Sequence, residues 1–313
     1  MPETQPKPED SAGDDSLESL NAETFTSSPF VLAVDSDGCA FDSMDLKHNE
    51  CFTPTTIKHW GLQLVAREAH ETATFINLRS RSRGLNRFEA LVMLFDMLAD
   101  RPEVSRRTEL PRIDGLRRWT ATSQRLSRES LVAATQTDDC PSLRTALAWT
   151  DAVNEAVRVT ANNPTPVPGA GECLRMASNH ASVVIVSAAD TETLRREWGK
   201  HGLLDHVTAI AGQEAGTKAD TLKRLKDFGL KADNILMVGD APGDLTAAKA
   251  TNTPFFPIIP SKESASWAHL AEEGLPRFFA GSFCGAFAEN LAEQFLSALP
   301  EKPSWPSLSA EKN

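Results

Sequence analysis

A single interruption restricts the fold of this chain more than any other feature. An apolar run, Phe30-Val31-Leu32-Ala33-Val34, leads straight into Asp35-Ser36-Asp37-Gly38. Its shortness and β-branched content predict a buried strand, and the glycine permits a tight turn after it. From about Ser43 to Asn163 the pattern is helical throughout. Phe88, Leu91, Val92, Phe95 and Leu98 fall at helical spacing, as do Leu143, Leu147, Val153 and Val157, before a stop at Asn162-Asn163-Pro164. Strand-and-helix alternation resumes after Pro168-Gly169. Strands are expected at Ser182–Ser187, Val207–Ala211, Ile235–Gly239 and Phe255–Ile259. Helices are expected over 170–179, Thr191–Lys200 and Ala219–Phe228, from Asp244 onward, and over Ser264–Glu273 and Phe287–Leu299. Such alternation implies βαβ units and a parallel sheet covered on both faces. One α/β domain is therefore opened by its first strand, left for a long helical insertion, and then completed.

The expected division follows. Residues 1–28 form an acidic tail, because seven acids and one lysine in a Pro- and Ser-rich stretch offer too little to bury against the entropy of ordering. Residues 29–44 and 165–300 form the discontinuous core, 45–164 the helical insertion, and 301–313 a flexible end. With 313 residues, 41% of them hydrophobic, the chain can build a large core without staples. Its net charge of −11, from 32 basic and 43 acidic residues, argues against a nucleic-acid or anionic-membrane binder. The five cysteines have no metal-binding spacing, and no secretory signal or run of about 20 apolar residues is present. A cytoplasmic protein with reduced thiols is expected.

Open α/β sheets bind ligands at the carboxyl ends of their strands. At those ends this sequence places Asp35 and Asp37, then Ser187, then Asp240 with Asp244 one helical turn further on, and Lys218 where a helix opens. Crowded carboxylates repel unless they are protonated or bridged by a cation, and an all-oxygen set suits Mg²⁺. Each acid taken singly could be a solvated loop carboxylate, and Asp244 could be a simple helix cap. Lys218 competes for its role with Lys223, Lys226 and Lys231.

Taken together, these segments resemble the haloacid dehalogenase (HAD) superfamily in its phosphatase-like branch. Leu32-Ala33-Val34-Asp35-Ser36-Asp37-Gly38 matches its hhhhDxDG motif. Ser187 matches the strand-end hydroxyl, Gly216-Thr217-Lys218 the helix-opening lysine, and Gly239-Asp240-Ala241-Pro242-Gly243-Asp244 the GDxxxD motif. The resemblance implies a HAD-like Rossmannoid parallel sheet with an all-helical cap inserted after the first motif. It implies that Asp35 attacks phosphorus to give an aspartyl-phosphate, and that Asp37 acts as general acid and base. Mg²⁺ would be held by Asp35, by Asp37 through its backbone carbonyl, and by Asp240, with Asp244 near the metal or fixing Lys218. Ser187, Lys218 and Gly38 would bind the phosphoryl oxygens. Two positions depart from the family pattern: Cys39 stands where Thr or Val is usual, and Ala188 where Asn is frequent. Cys39 is expected to fill space.

The expected substrate is a small phosphorylated metabolite, selected by the cap. Arg79, Arg81, Arg83 and Arg87 fall within nine residues. Arg79, Arg83 and Arg87 could clamp a second anionic group, or pair with Glu89 or Asp96 on a solvated face. Lys47, with His48 near the hinge, could also face the pocket. Two alternatives to a phosphohydrolase remain at this level. One is a phosphomutase of the β-phosphoglucomutase kind, and the other a non-catalytic phosphate-binding or regulatory relative. Asp37 disfavours a dehalogenase. A receiver domain would carry no cap.

Overall fold

The structure, a computed structural model, describes Phe25 and residues 28–308. Five parallel strands make the central sheet: β1 (Val31–Val34), β4 (Ser182–Val186), β5 (Ala209–Ala211), β6 (Ile235–Gly239) and β7 (Phe255–Pro257), in the order β5-β4-β1-β6-β7. Two further strands, β2 (Phe41–Asp42) and β3 (Thr165–Pro166), pair antiparallel as a separate ribbon. Every residue of β1, β4 and β6 is buried. That accounts for their unbroken apolar text, since a strand covered on both faces has no solvent side to mark with polar residues.

The strand order sets the location of the site. The chain runs outward from β1 through β4 to β5, then returns to the opposite side of β1 with β6 and β7. β1 is thus the switch point, where loops leaving neighbouring strands diverge and open a crevice. The register puts Val34 level with Ile185 and with Val238, so Asp35 and Asp240 emerge from the same end of the sheet.

Helices pack on both faces. One apolar cluster joins Leu32, Val34, Val183, Ile185, Leu236 and Val238 to Trp198, Trp267 and Phe278. The other joins Val31, Ala33, Val184, Ile235 and Met237 to Leu222, Leu225, Leu245 and Phe295. A third cluster, from Trp60 to Val153, lies wholly inside the helical insertion. The expected helices are present: Ala170–Ser178, Thr191–Lys200, Lys218–Asp227, Pro242–Thr251, Glu263–His269 and Gly285–Ala298. Between Met44 and Thr160 all the regular structure among the described residues is helical. The architecture is an α/β core with a helical cap. No helix among the described residues is long and apolar enough to cross a membrane.

Three features depart from the sequence reading. The β2–β3 ribbon, where the chain leaves and re-enters the core, went unread because two-residue strands carry no periodicity. Most of the expected tail lies outside the described residues, but Phe25 within it is buried in the core and stacks on Phe228 at 5.7 Å. The expected flexible end is anchored up to residue 308. Trp305 packs edge-on against Phe75 at 5.4 Å and under the Arg101 guanidinium at 4.6 Å, and the Leu308 N–H donates to the Asp100 carbonyl at 2.8 Å. Residues 309–313 lie outside the described residues.

Candidate active site

The turn after β1 is fixed from both sides. The Trp198 indole N–H donates to Ser36 Oγ at 3.0 Å, and that of Trp267 to the Cys39 carbonyl at 2.9 Å. The carbonyl of Ser36 takes the N–H groups of Ala40 and Phe41, both at 3.0 Å. Gly38 adopts a φ of +76°, in the left-handed region that glycine enters without penalty. Its own N–H donates to the Phe41 carbonyl at 2.8 Å. The sequence reading placed Gly38 among the phosphate-binding groups; its N–H is engaged inside the turn, and its evident task is conformational. Cys39 is buried, with its thiol pushed well up by burial and then by Asp240, as suits a residue that fills space.

Three carboxylates meet on this rim. Asp35, Asp240 and Asp244 each offer an oxygen within 4.8 Å of the others, and all three are buried. Lys218 bridges two of them, reaching Asp35 Oδ2 at 2.7 Å and bonding Asp244 Oδ1. Local chemistry explains its placement. Thr217 caps the helix Lys218–Asp227, with Asp220 returning the bond, so Lys218 is the first helical residue and projects over the rim. Asp244 stands in the first turn of the helix that Pro242 opens, and its Oδ2 accepts from the Ala241 N–H at 3.0 Å. Asp244 is therefore not the helix N-cap, a place taken by Ala241; it stands at N3, with one oxygen on the Ala241 N–H and the other on Lys218. Gly239 gives it room: a Cβ there would lie 2.3 Å from the Asp244 carboxyl carbon.

The electrostatics fit a site poised for a cation. Burial, reinforced by the charges of Asp244 and Asp240, raises the Asp35 carboxyl well above the ordinary carboxylate range, against the pull of Lys218. Asp240 is raised by burial too, with Arg83 opposing. Burial would lower the Lys218 ammonium, but Asp244 and Asp35 push it upward, so it stays charged. Asp240 Oδ1 is buried with no hydrogen-bond partner. An orphaned carboxylate oxygen on a residue clustered with two other acids suits a hard divalent cation.

Asp37 points elsewhere. Its Oδ1 accepts from Lys47 Nζ at 2.6 Å and from Ser43 Oγ at 2.5 Å. Burial alone would raise this carboxyl, but Lys47, followed by Ser43 and His48, holds it below its ordinary value. Lys47 opens a π-helical turn, Lys47–Phe52, a distortion often found at functional sites. His48 follows it. Burial, and next the Arg83 charge, push its imidazole down to about 3, and its Nδ1 is buried without a partner. Ser187 is buried beyond the end of β4, with its Oγ accepting from the Ala189 N–H at 3.2 Å.

The arginine-rich segment of the cap is divided among separate tasks. Arg83 is buried and holds Asp240 Oδ2 with Nε at 2.7 Å and Nη2 at 2.5 Å. Arg79 pairs with Asp45 at 3.0 Å and bonds Ser261. Arg81 reaches the C-terminal segment, to Glu301 at 2.7 Å. Arg87 donates to Asn154 Oδ1 at 2.7 Å and lies over the Phe52 ring at 5.0 Å. Neither Glu89 nor Asp96 takes a partner from this run; Asp96 pairs instead with Arg117. Sequence reasoning did not single out Ser43. Its only signal was a hydroxyl six residues past a catalytic-type aspartate.

Residues 120–258 match the haloacid dehalogenase-like hydrolase family. That stretch runs from the cap through β3, β4, β5, β6 and β7 and leaves β1 outside it. No curated protein matches the chain. Among solved structures it is similar to a haloacid dehalogenase-like protein from Bacteroides fragilis, at 14% identity and a TM-score of 0.48, covering 76% of this chain and 92% of that one. A haloacid dehalogenase-like family hydrolase from Streptococcus pneumoniae is similar at 15% identity and a TM-score of 0.40, covering 80% and 98%. A predicted phosphoglycolate phosphatase from Haemophilus somnus is similar at 13% identity and a TM-score of 0.44, covering 76% and 92%. Residues 120–258 are thus similar to that hydrolase family, and they carry Asp240 and Asp244, which meet Asp35 on one rim of the parallel sheet.

Proposed function

We propose that the chain is a Mg²⁺-dependent phosphohydrolase acting on a small phosphorylated metabolite through an aspartyl-phosphate at Asp35. The reading rests chiefly on one observation: Asp35, Asp240 and Asp244 converge within 4.8 Å, and Lys218 lies 2.7 Å from the Asp35 carboxylate. Asp35, Asp240 and Asp244, with the Asp37 carbonyl, are the groups that would hold Mg²⁺. The ion would supply neutralising charge, so that a carboxylate can approach a phosphoryl dianion.

In this scheme Asp35 Oδ attacks phosphorus in line and the leaving oxygen departs. Lys218 and Ser187 take phosphoryl oxygens and stabilise the charge spread over them in the transition state. Asp37 passes a proton to the leaving oxygen, then removes one from the water that cleaves the aspartyl-phosphate. Lys47 and Ser43 keep the Asp37 carboxylate ionised at rest, as the second step requires. An incoming phosphoryl dianion raises its proton affinity, so that Asp37 takes up a proton from solvent as substrate binds and holds it for the first step. Residues 45–164 act as the cap and residues 29–44 with 165–300 as the core, a division supported by the separate apolar cluster inside the insertion. Through Lys47, the cap reaches the general acid and base directly. Arg79 and Arg87 are engaged by Asp45 and Asn154.

Purified protein is expected to release phosphate from an aryl phosphate only with Mg²⁺, and Asp35→Asn to abolish that release while the fold is kept. Undiminished turnover in the variant overturns the mechanism.

A further inference from the structure

Arg83 belongs to the cap by sequence but to the acidic rim by position. Its side chain is 2% exposed, and so is that of its partner Asp240, 157 residues away. Nε and Nη2 both bind Asp240 Oδ2, while Nη1 donates to the Leu78 carbonyl at 3.1 Å. The guanidinium thus ties the loop after the cap helix Ala66–Leu78 to the end of β6. Gly38 leaves the space for it, since a Cβ at Gly38 would lie 2.4 Å from both Arg83 Nη2 and Asp240 Oδ2. The other Asp240 oxygen, Oδ1, is the buried orphan.

We infer that Arg83 is a positioning residue that couples cap docking to the metal site, so that docking of the cap and binding of a divalent cation oppose one another. The inference rests on the proposed metal reading. Three carboxylates and two cations, Lys218 and Arg83, share this rim. Undocking Arg83 doubles the net negative charge there and frees Asp240 Oδ2. A divalent cation brought to Asp240 meets the guanidinium as a like charge on the same carboxylate. Each then weakens the hold of the other by the same factor, as linkage requires.

The test uses the full chain without substrate. Mg²⁺ affinity is measured by titration calorimetry on the wild type, Arg83→Gln and Arg83→Lys, and amide hydrogen exchange of residues 79–87 is followed with and without Mg²⁺. Arg83→Gln is expected to bind Mg²⁺ about tenfold tighter, within the usual range of coupling between sites, whereas Arg83→Lys stays within about threefold of the wild type. Mg²⁺ is expected to speed exchange of the loop in the wild type. Equal or weaker affinity in Arg83→Gln, or loop exchange unchanged or slowed by Mg²⁺, overturns the coupling. Absence of Mg²⁺ binding in every protein overturns the metal reading and the coupling with it. The exchange arm uses the wild-type chain, and so decides even if Arg83→Gln does not fold.

Discussion

Gly38→Ala combines two costs that can be separated. The first is conformational: an L-residue at φ +76° costs about 1–2 kcal/mol. The second is a collision. The new methyl would stand 2.4 Å from Arg83 Nη2, 2.4 Å from Asp240 Oδ2 and 2.7 Å from Met44 Cγ, well inside contact distance. Met44 can turn away, but the buried ion pair has no such freedom, and separating a buried pair costs about 3–5 kcal/mol. Together these predict a loss of about 4–7 kcal/mol, a large part of the roughly 5–15 kcal/mol that stabilises an ordinary domain. Urea unfolding followed by tryptophan fluorescence measures it. Repeating the substitution in an Arg83→Gln background tests the cause, because neighbouring groups are non-additive. With the ion pair already gone, Asp240 is free to turn aside as Met44 is, and Gly38→Ala should cost little beyond the conformational part, about 1–2 kcal/mol. A loss near 1 kcal/mol in the wild type, or equal losses in both backgrounds, refutes the reasoning.

Three further outcomes follow from the same structure. Because Asp35 is raised in the folded state, the stability it contributes is present below the ordinary carboxylate pKa and is lost as pH rises through the raised value. Metal-free Asp35→Asn should therefore melt higher than the wild type at pH 7, by about 2–4 °C for each kcal/mol relieved; a lower melting temperature contradicts this. His48 is depressed to about 3, so its contribution is present above pH 6.5 and is lost as pH falls toward 3. His48→Gln should lose about 1–3 kcal/mol less than the wild type between pH 7 and pH 4.5, read from urea midpoints. Trp305→Ala removes the ring that Phe75 and Arg101 share, and should speed limited proteolysis within the cap while the core resists; an unchanged cleavage rate shows that the C-terminal segment does not brace the cap.

Strand positions were legible because β1, β4 and β6 are buried on both faces, and continuous apolar text is the mark of that burial. The residues at their carboxyl ends were legible for a related reason. Val34, Val186 and Gly239 are followed at once by Asp35, Ser187 and Asp240, so chemistry is read directly from where each strand stops. Contacts made across the chain were not legible in the same way. Arg83 and Asp240 stand 157 residues apart, and nothing local distinguishes Arg83 from Arg79, Arg81 or Arg87. Ser43 was missed because a hydroxyl in a short turn has no periodicity. Phe25 was passed over because the composition around it is acidic and one phenyl ring cannot shift an average. Trp305 likewise carries its meaning only once Phe75 and Arg101 are brought beneath it.

The claim that Asp35 is the nucleophile is open to direct chemical test. An acyl phosphate is reduced by borohydride at its carbonyl carbon, whereas a free carboxylate is not. Protein quenched with borohydride during turnover, digested and analysed by tandem mass spectrometry should show the peptide spanning Val31–Phe41 reduced at Asp35, in a substrate-dependent manner. Reduction at another residue, or none at Asp35 while phosphate is being released, would contradict the account.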